Sequence, residues 1–222
     1  MKKRLIALTV LLLALLTGCT QPLAEETTVP EPDPLVGTWK TELDLADEVG
    51  RMLAQPEELD TYFSVKKYPV TVLLRLYENG TYTVEVDEDT AREAFEGLLL
   101  SFDRALDRML QDRINAQDPT LTADTVEGWT GVSFGELQAK ALEQLRQGDP
   151  TAYILEQAKA EGNYRAENGR LYLSLGKENA VNPEIWDLYA INSDTLILMT
   201  HKGPKIIGFW ENYPLVFMRV AE

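Results

Sequence analysis

An alternation of apolar and polar residues around a short turn constrains this fold more than any other feature of the 222-residue sequence. Apolar residues recur at every second position from Tyr68 to Leu76, and again from Tyr82 to Val86, after the letters ENG. Because side chains of a strand alternate between its two faces, this spacing predicts two strands that each bury one face. A three-residue loop with Gly80 in a left-handed bulge brings all the apolar residues to the same face of an antiparallel hairpin.

A second ENG segment predicts another hairpin with a different turn. A two-residue turn at Asn168-Gly169 sets Tyr164 opposite Leu173, which gives this hairpin an apolar face. Further strands are expected at four segments, with 204–210 as a shorter candidate: 35–43, 183–191, 195–201 and 214–220. Successive hairpins with an early and a late strand predict an antiparallel sheet closed into a barrel, since closure removes exposed strand edges.

Helical periodicity interrupts the strands over about 89–160. A capping box that begins at Thr90 precedes apolar residues at spacings of four and three, which predicts an amphipathic helix over 90–115. A second capping box at Ser133 predicts another helix, which ends near Gly148. Two shorter helices are expected beside them: 122–129 and 150–160. The sequence therefore predicts an α+β, mainly β fold, in which a helical insertion packs across one mouth or side of the barrel.

The first 18 residues have the layout of a cleaved secretion signal. Lys2, Lys3 and Arg4 precede an unbroken apolar run from Leu5 to Leu16. This run is too short for a comfortable transmembrane helix and it ends in small residues. We therefore exclude residues 1–18 from the fold.

The single cysteine of the sequence, Cys19, follows this run in the stretch LTGC. The stretch resembles the lipobox of bacterial lipoproteins, and the resemblance implies that the Cys19 thiol is diacylated and becomes the mature N-terminus. The alternative is an ordinary secretory signal with a cysteine near the cleavage site. Residues 19–34, rich in Pro, Thr and Glu, predict a disordered tether. With Cys19 acylated, no disulfide is left, so residues 35–222 are expected to form one domain held by a hydrophobic core.

Acidic residues outnumber basic residues by 36 to 21, which gives a formal net charge of −15. Nucleic-acid binding and polybasic attachment to anionic lipids both need clustered Lys and Arg, so the charge argues against both. Membrane contact is expected through the lipid anchor instead, on the outer leaflet of a one-membrane cell. In a two-membrane cell the resemblance implies the outer membrane, because Thr20 stands where a retention aspartate would follow Cys19.

Residues 35–40 read LVGTWK and resemble the Gly-x-Trp element that opens the first strand of lipocalin-like barrels. Together with LYENGTYTV, GNYRAENGRLYLSL, DTLILM and VFMRV, they resemble in order a group of lipocalin-like bacterial lipoproteins whose barrel is interrupted by a helical segment. In lipocalins an arginine near the chain end packs over this tryptophan. The resemblance therefore implies a barrel-closing cation–π stack between Trp39 and Arg219.

No catalytic or cofactor-binding motif is present in the sequence, which lacks a Gly-x-Ser-x-Gly elbow, a P-loop, a Cys/His set and a His-Glu-x-x-His helix. His201, the single histidine, is expected to be a surface or strand-end residue rather than a ligand. The acidic stretch at 86–90 matches no calcium loop. We therefore expect neither an enzyme, nor a metal site, nor a cofactor.

Two classes of function remain open. In the first, the barrel interior or its helical lid binds a small hydrophobic ligand. The candidate lining residues are six inward residues and one loop tryptophan: Val70, Val72, Leu74, Val84, Tyr164, Leu173 and Trp210. In the second, the barrel is filled and the helix over 90–115 binds another protein of the cell envelope. The aromatic residues around Trp210 could form a binding platform, but a plug in the barrel mouth is favoured because large aromatic side chains are rarely exposed.

Overall fold

The computed structural model of the chain describes residues 33–53, 59–204 and 213–221. The predictions for the secretion signal, Cys19 and nearly all of the tether lie outside these ranges. So do the predictions for Trp210 and for a short strand beyond Pro204. The described residues belong to one unit of the chain, 33–222.

Eight antiparallel strands of the described residues form a closed barrel, in which each strand pairs with the next and the last pairs with the first. The strands are β1 (Gly37–Asp44), β2 (Pro69–Leu76), β3 (Thr81–Val86), β4 (Ala160–Glu167), β5 (Arg170–Leu173), β6 (Trp186–Ile191), β7 (Thr195–Lys202) and β8 (Leu215–Arg219). The prediction of an antiparallel barrel in an α+β fold is confirmed.

The described helices lie in two connections of the barrel. A short helix, α1 (Ala46–Met52), joins β1 to β2. The helical insertion joins β3 to β4 and contains α2 (Glu88–Gln117), α3 (Ala123–Thr130), α4 (Phe134–Gln147) and α5 (Thr151–Ala158). Helix α2 packs on β2 and contacts α3, α4 and α5, while α5 packs on β3. We call the end of the barrel at which β3 leads into the insertion the insertion end. The other end, where β1 begins and β2 turns into β3, is the turn end.

The strand registers expected at the two ENG turns are confirmed. Leu76 lies opposite Tyr82, and Gly80 has a φ of +78°. At the second turn Tyr164 lies opposite Leu173, and both turn residues have positive φ, 53° and 73°. These values fit the two turn types, because a type I′ turn needs positive φ at both central residues. The local chemistry of the turns thus sets the pairing of β2 with β3 and of β4 with β5.

The prediction that Thr90 caps the first helix of the insertion is wrong. Helix α2 already begins at Glu88, so Thr90 lies within its first turn. Its N-cap is Asp87, whose carboxylate accepts a hydrogen bond from the amide of Thr90 at 3.0 Å. The Thr90 hydroxyl instead accepts a hydrogen bond from the amide of Thr71 in β2 at 3.0 Å. Aspartate caps a helix as well as threonine, and it is the first residue after β3. The second predicted cap, at Ser133, is confirmed.

Large side chains from most of the strands point into the barrel and are shielded from solvent. Residues with exposure near zero include Trp39 of β1, Tyr82 of β3, Leu171 of β5, Leu198 of β7 and Phe217 of β8. They form one core cluster that also includes residues of α2 and α5. Burial of this apolar surface is the main stabilising contribution that the described residues offer.

Candidate functional site

Most of the described ligand-lining candidates are packed inside the barrel core. Five of the six are almost fully buried: Val70, Val72, Leu74, Val84 and Leu173. All five belong to the cluster that contains the buried aromatic residues. Tyr164 is partly buried, and its hydroxyl donates a hydrogen bond to the carbonyl oxygen of Tyr77 at 3.0 Å. The structure thus brings the five together as core residues, while their contact with a ligand stays a prediction.

Trp39 and Arg219 lie in contact at the turn end of the barrel. The guanidinium carbon of Arg219 is 4.2 Å from the centroid of the Trp39 ring. The same guanidinium donates hydrogen bonds to the carbonyl oxygens of Val36 and Ser193, each at 2.9 Å. The contact implied by the family resemblance is therefore present, and it ties the end of β8 to the start of β1.

Gly37 makes room for this arrangement. Its φ is +137°, and a Cβ atom there would lie 2.6 Å from Nη1 of Arg219. Residues with a side chain rarely adopt such a φ, so the backbone favours glycine here, and a Cβ atom would also displace the Arg219 guanidinium from its position. The Gly-x-Trp element thus positions the tryptophan and also admits the arginine.

His201 has partners that the sequence analysis missed, one of which, Asp187, is buried. His201 lies near the end of β7 as expected, but its side chain is only 14% exposed. Its Nδ1 is 3.0 Å from Oδ1 of Asp187 in β6, and its Nε2 is 3.2 Å from the carbonyl oxygen of Pro204. The hydroxyl of Tyr213 donates to the same Oδ1 of Asp187 at 2.8 Å. Asp187, His201 and Tyr213 thus form a partly buried polar cluster at the insertion end, with the Asp187 carboxyl group at its buried centre.

The geometry of this cluster requires a proton between His201 and Asp187. A carbonyl oxygen can only accept, so the hydrogen bond to Pro204 places a proton on Nε2. The contact between Nδ1 and Asp187 then needs a second proton, on the imidazole or on the carboxyl group. Burial raises the pKa of Asp187, although the hydrogen bonds from Tyr213 and His201 oppose this effect. Burial and the charge of Asp187 also raise the pKa of Tyr213.

An apolar cavity of about 650 Å³ lies within the helical insertion, between α2, α3 and α4. Cavities that bind small molecules in proteins have volumes of about 300–1,000 Å³ and mostly apolar linings. Most of its lining residues are apolar, among them Leu106, Met109, Leu110, Val126, Trp129 and Leu137. The size and chemistry of this cavity fit a small hydrophobic ligand.

Two large apolar side chains of the cavity are exposed to solvent. Trp129 of α3 is 72% exposed and Leu137 of α4 is 51% exposed. Helix α4 is held in place, because the side-chain amide of Gln138 donates hydrogen bonds to Asp103 at 2.6 Å and to Asp107 at 3.0 Å. These bonds hold α4 against α2. The exposed Leu137 side chain therefore belongs to a helix that hydrogen bonds fix in position. Exposed apolar surface of this kind is typical of binding sites.

The sequence pattern indicated the apolar face of α4 but not its surroundings. Phe134, Leu137 and Ala141 share one face, as expected from their spacing, and all three line the cavity. The spacing cannot tell whether such a face packs on the barrel or borders open space. The one feature of the sequence that indicates a binding surface here is Trp129, a large aromatic residue in a polar segment.

Within 33–53, 59–204 and 213–221, no group of three or more His, Cys, Asp or Glu side chains could hold a metal ion. None of the helices in these ranges combines the length and the apolar character that a membrane-spanning helix needs. Comparison with protein-family models, with curated proteins and with solved structures found no match.

Proposed function

We propose that the protein is a lipid-anchored extracytoplasmic binding protein whose helical insertion takes up a small hydrophobic ligand. The observation that carries this proposal is the apolar cavity of about 650 Å³ between α2, α3 and α4. Its exposed Trp129 and Leu137 would lose contact with water when a ligand binds, which is favourable by about 25 cal/mol per Å² of apolar surface. The barrel, whose interior is filled by buried side chains, then serves as the scaffold that holds α2 in place.

The proposed location rests on the sequence. The basic start, the apolar run and the LTGC stretch support export and acylation of Cys19. Residues 19–34 would then tether the domain to the membrane, on the outer leaflet or at an outer membrane. The acidic composition of the chain supports attachment by lipid rather than by basic residues.

We also propose a lipocalin-like origin for the barrel. Three features support it: the closed antiparallel strands, the Gly37-x-Trp39 element, and the stack of Arg219 on Trp39. A binding role without catalysis fits the lack of a catalytic motif in the sequence.

Ligand uptake can be tested with a shortened chain, Thr20 to Glu222, and the fluorescent probe 1-N-phenylnaphthylamine. Leu137→Gln places an amide at the cavity and should weaken probe binding about tenfold, because burial of a leucine is worth roughly 1.5–3 kcal/mol. Leu100→Gln is the matched control, since Leu100 of α2 is 58% exposed and lies outside the cavity. Equal binding by both variants and the unsubstituted chain would overturn the proposal.

The alternative function is contact with another envelope protein. The exposed apolar side chains of the insertion would also suit an amphipathic helix of a partner. Native mass spectrometry of gently purified protein distinguishes the two functions. A co-purifying small mass that organic extraction removes supports ligand binding, whereas an apo mass without probe binding favours the protein partner.

A further inference from the structure

We propose that a second cavity binds a phosphate-bearing ligand. This basic cavity has a volume of about 770 Å³ and lies between residues 60–67 and the part of α2 from Leu98 to Arg108. It differs in character from the apolar cavity of the insertion, because most of its lining residues are charged or polar. The inference does not rest on the proposed uptake of a hydrophobic ligand.

The charge of the basic cavity is opposite to that of the chain as a whole. Lys66, Lys67, Arg104 and Arg108 line it, against two carboxylates, Asp60 and Asp107. In a chain with 36 acidic and 21 basic residues, such a local excess of cations is unexpected. It creates a positive potential in one concave surface, where an anion would be attracted and held.

Three of these cations are free to bind a ligand. Lys66, Lys67 and Arg104 form no salt bridge with any other residue in the described part of the chain. Arg75 and Arg92, by contrast, are paired with glutamates. No carboxylate of the described residues neutralises these three cations, so each can interact with a bound anion at full strength. Hydrogen bonds from charged donors are stronger than those from neutral donors.

Arg108 is positioned by the protein itself. Its Nη2 donates a hydrogen bond to the carbonyl oxygen of Tyr62 at 3.1 Å, and its Nε donates to the carbonyl oxygen of Arg104 at 3.3 Å. Two of its donors are thereby used, which leaves further N–H groups of the guanidinium for a ligand. A guanidinium held in this way loses little conformational freedom when it binds a phosphate.

The loop wall of the basic cavity is anchored and rich in donors. The ring of Phe63 packs edge-on against Phe102 of α2, with 5.1 Å between the ring centroids. Beyond it, the backbone from Ser64 to Lys67 is neither helix nor strand, and its amide N–H groups donate to no other described residue. Two further residues with hydroxyl groups, Thr61 and Ser64, also line the cavity. Such donors bind phosphate oxygens.

The charges and hydrogen-bond donors of the basic cavity together favour a phosphate group over a simple carboxylate as the ligand. Four cations around two carboxylates leave an excess of two positive charges. This excess matches one phosphate monoester, which carries about two negative charges at neutral pH, or two phosphodiester groups, which carry one each. The volume exceeds the size of one small ion, so the phosphate is expected to be part of a larger polar group. Both a phospholipid headgroup and a soluble phosphate ester have this chemistry.

The test uses the full chain in a non-ionic detergent at low salt, with inorganic pyrophosphate as the probe in isothermal titration calorimetry. Arg104→Gln should weaken binding at least about tenfold, because it removes a charged hydrogen-bond donor from the basic cavity. Arg92→Gln is the matched control, since it removes one exposed cation from the same helix outside the cavity. Lys66→Gln repeats the test on the loop wall, should Arg104→Gln fail to fold.

A second arm separates the two sources of phosphate. The full chain is incubated with phosphatidylcholine vesicles with or without phosphatidylglycerol. The readout is the difference in flotation between the two vesicle compositions, because a lipid anchor would bind to both. Binding to the anionic vesicles that Arg104→Gln abolishes, with no affinity for pyrophosphate, supports a headgroup. Pyrophosphate binding that depends on Arg104 supports a soluble ester. Absence of binding in both arms, or equal losses in Arg104→Gln and Arg92→Gln, would overturn the proposal.

Discussion

At the scale of single residues, Arg219 combines several distinct interactions at the end of the last strand. It stacks on Trp39 and donates hydrogen bonds to carbonyl oxygens of Pro34, Val36 and Ser193. These contacts join three separate segments, so their loss should loosen the turn end of the barrel.

We expect Arg219→Ala to lower the free energy of unfolding by about 2 kcal/mol, since a partly desolvated cation–π contact and hydrogen bonds of a charged donor are lost together. Arg170→Ala is the control. Arg170 lies over the Trp186 ring at 4.5 Å on an exposed surface, so its loss should cost about 0.5–1 kcal/mol. Urea denaturation of both variants measures the difference. Equal losses would contradict a special role for Arg219.

The cluster around Asp187 predicts a dependence of stability on pH. Burial raises the pKa of Asp187 in the folded state. A raised pKa means that the folded state holds the proton more tightly than the unfolded state does. The resulting contribution to stability is present at acid pH and is lost as the pH rises through the folded pKa. Asp187→Asn keeps an acceptor for Tyr213 but has no proton to lose. The unsubstituted chain should therefore lose stability relative to Asp187→Asn as the pH rises.

The control for this pH series is Asp118→Asn. Hydrogen bonds from the backbone amide and the hydroxyl of Thr120 lower the pKa of Asp118. Its contribution therefore has the opposite sign, and the unsubstituted chain should lose stability relative to Asp118→Asn as the pH falls. Thermal unfolding between acid and neutral pH tests both. A flat difference for Asp187→Asn would contradict a raised pKa at that site.

At the scale of secondary-structure elements, a close approach fixes how β4 meets the segment after β5. A Cβ atom on Gly162 would overlap the backbone carbonyl of Ser174, and Gly162 forms an isolated bridge with Gly176. The Tyr82 hydroxyl also donates to the Ser174 carbonyl oxygen at 2.8 Å. Backbone atoms cannot move aside as a flexible side chain can.

We therefore expect Gly162→Ala to lower the free energy of unfolding by at least about 2 kcal/mol. The matched control is Gly97→Ala in α2, where a Cβ would meet nothing within 4 Å. This control should raise stability by about 0.8–1.0 kcal/mol, because alanine is the better helix former. Chemical denaturation of both variants checks the pair, and a stable Gly162→Ala protein would contradict the packing described for β4.

The elements differ in how far the sequence could predict them. The two hairpins could be predicted because Gly80 and the pair Asn168-Gly169 set the turn geometry within a few residues. The polar cluster could not be predicted in the same way. Asp187 and His201 meet across a strand pair with a register shift between Leu188 and Tyr189, which no local pattern shows. Their contact depends on the whole β6–β7 ladder.

At the scale of the whole molecule, the barrel and the insertion have different roles. The barrel buries its inward residues in one core, whereas the insertion leaves Trp129 and Leu137 exposed beside a cavity. The sequence indicated the helices of the insertion but not the space between them, because that space depends on how α3 and α4 pack on α2. Contacts such as the one between Gln138 and Asp103 decide it, and these residues are 35 positions apart.

The central proposal is that the insertion, not the barrel interior, binds the hydrophobic ligand. The most direct measurement is photo-crosslinking of the chain with a diazirine-bearing fatty acid, followed by mass spectrometric mapping of the adducts. We expect adducts on residues that line the apolar cavity, such as Met109, Trp129 and Leu137. Adducts confined to inward barrel residues, such as Leu74 and Val84, would contradict the proposal.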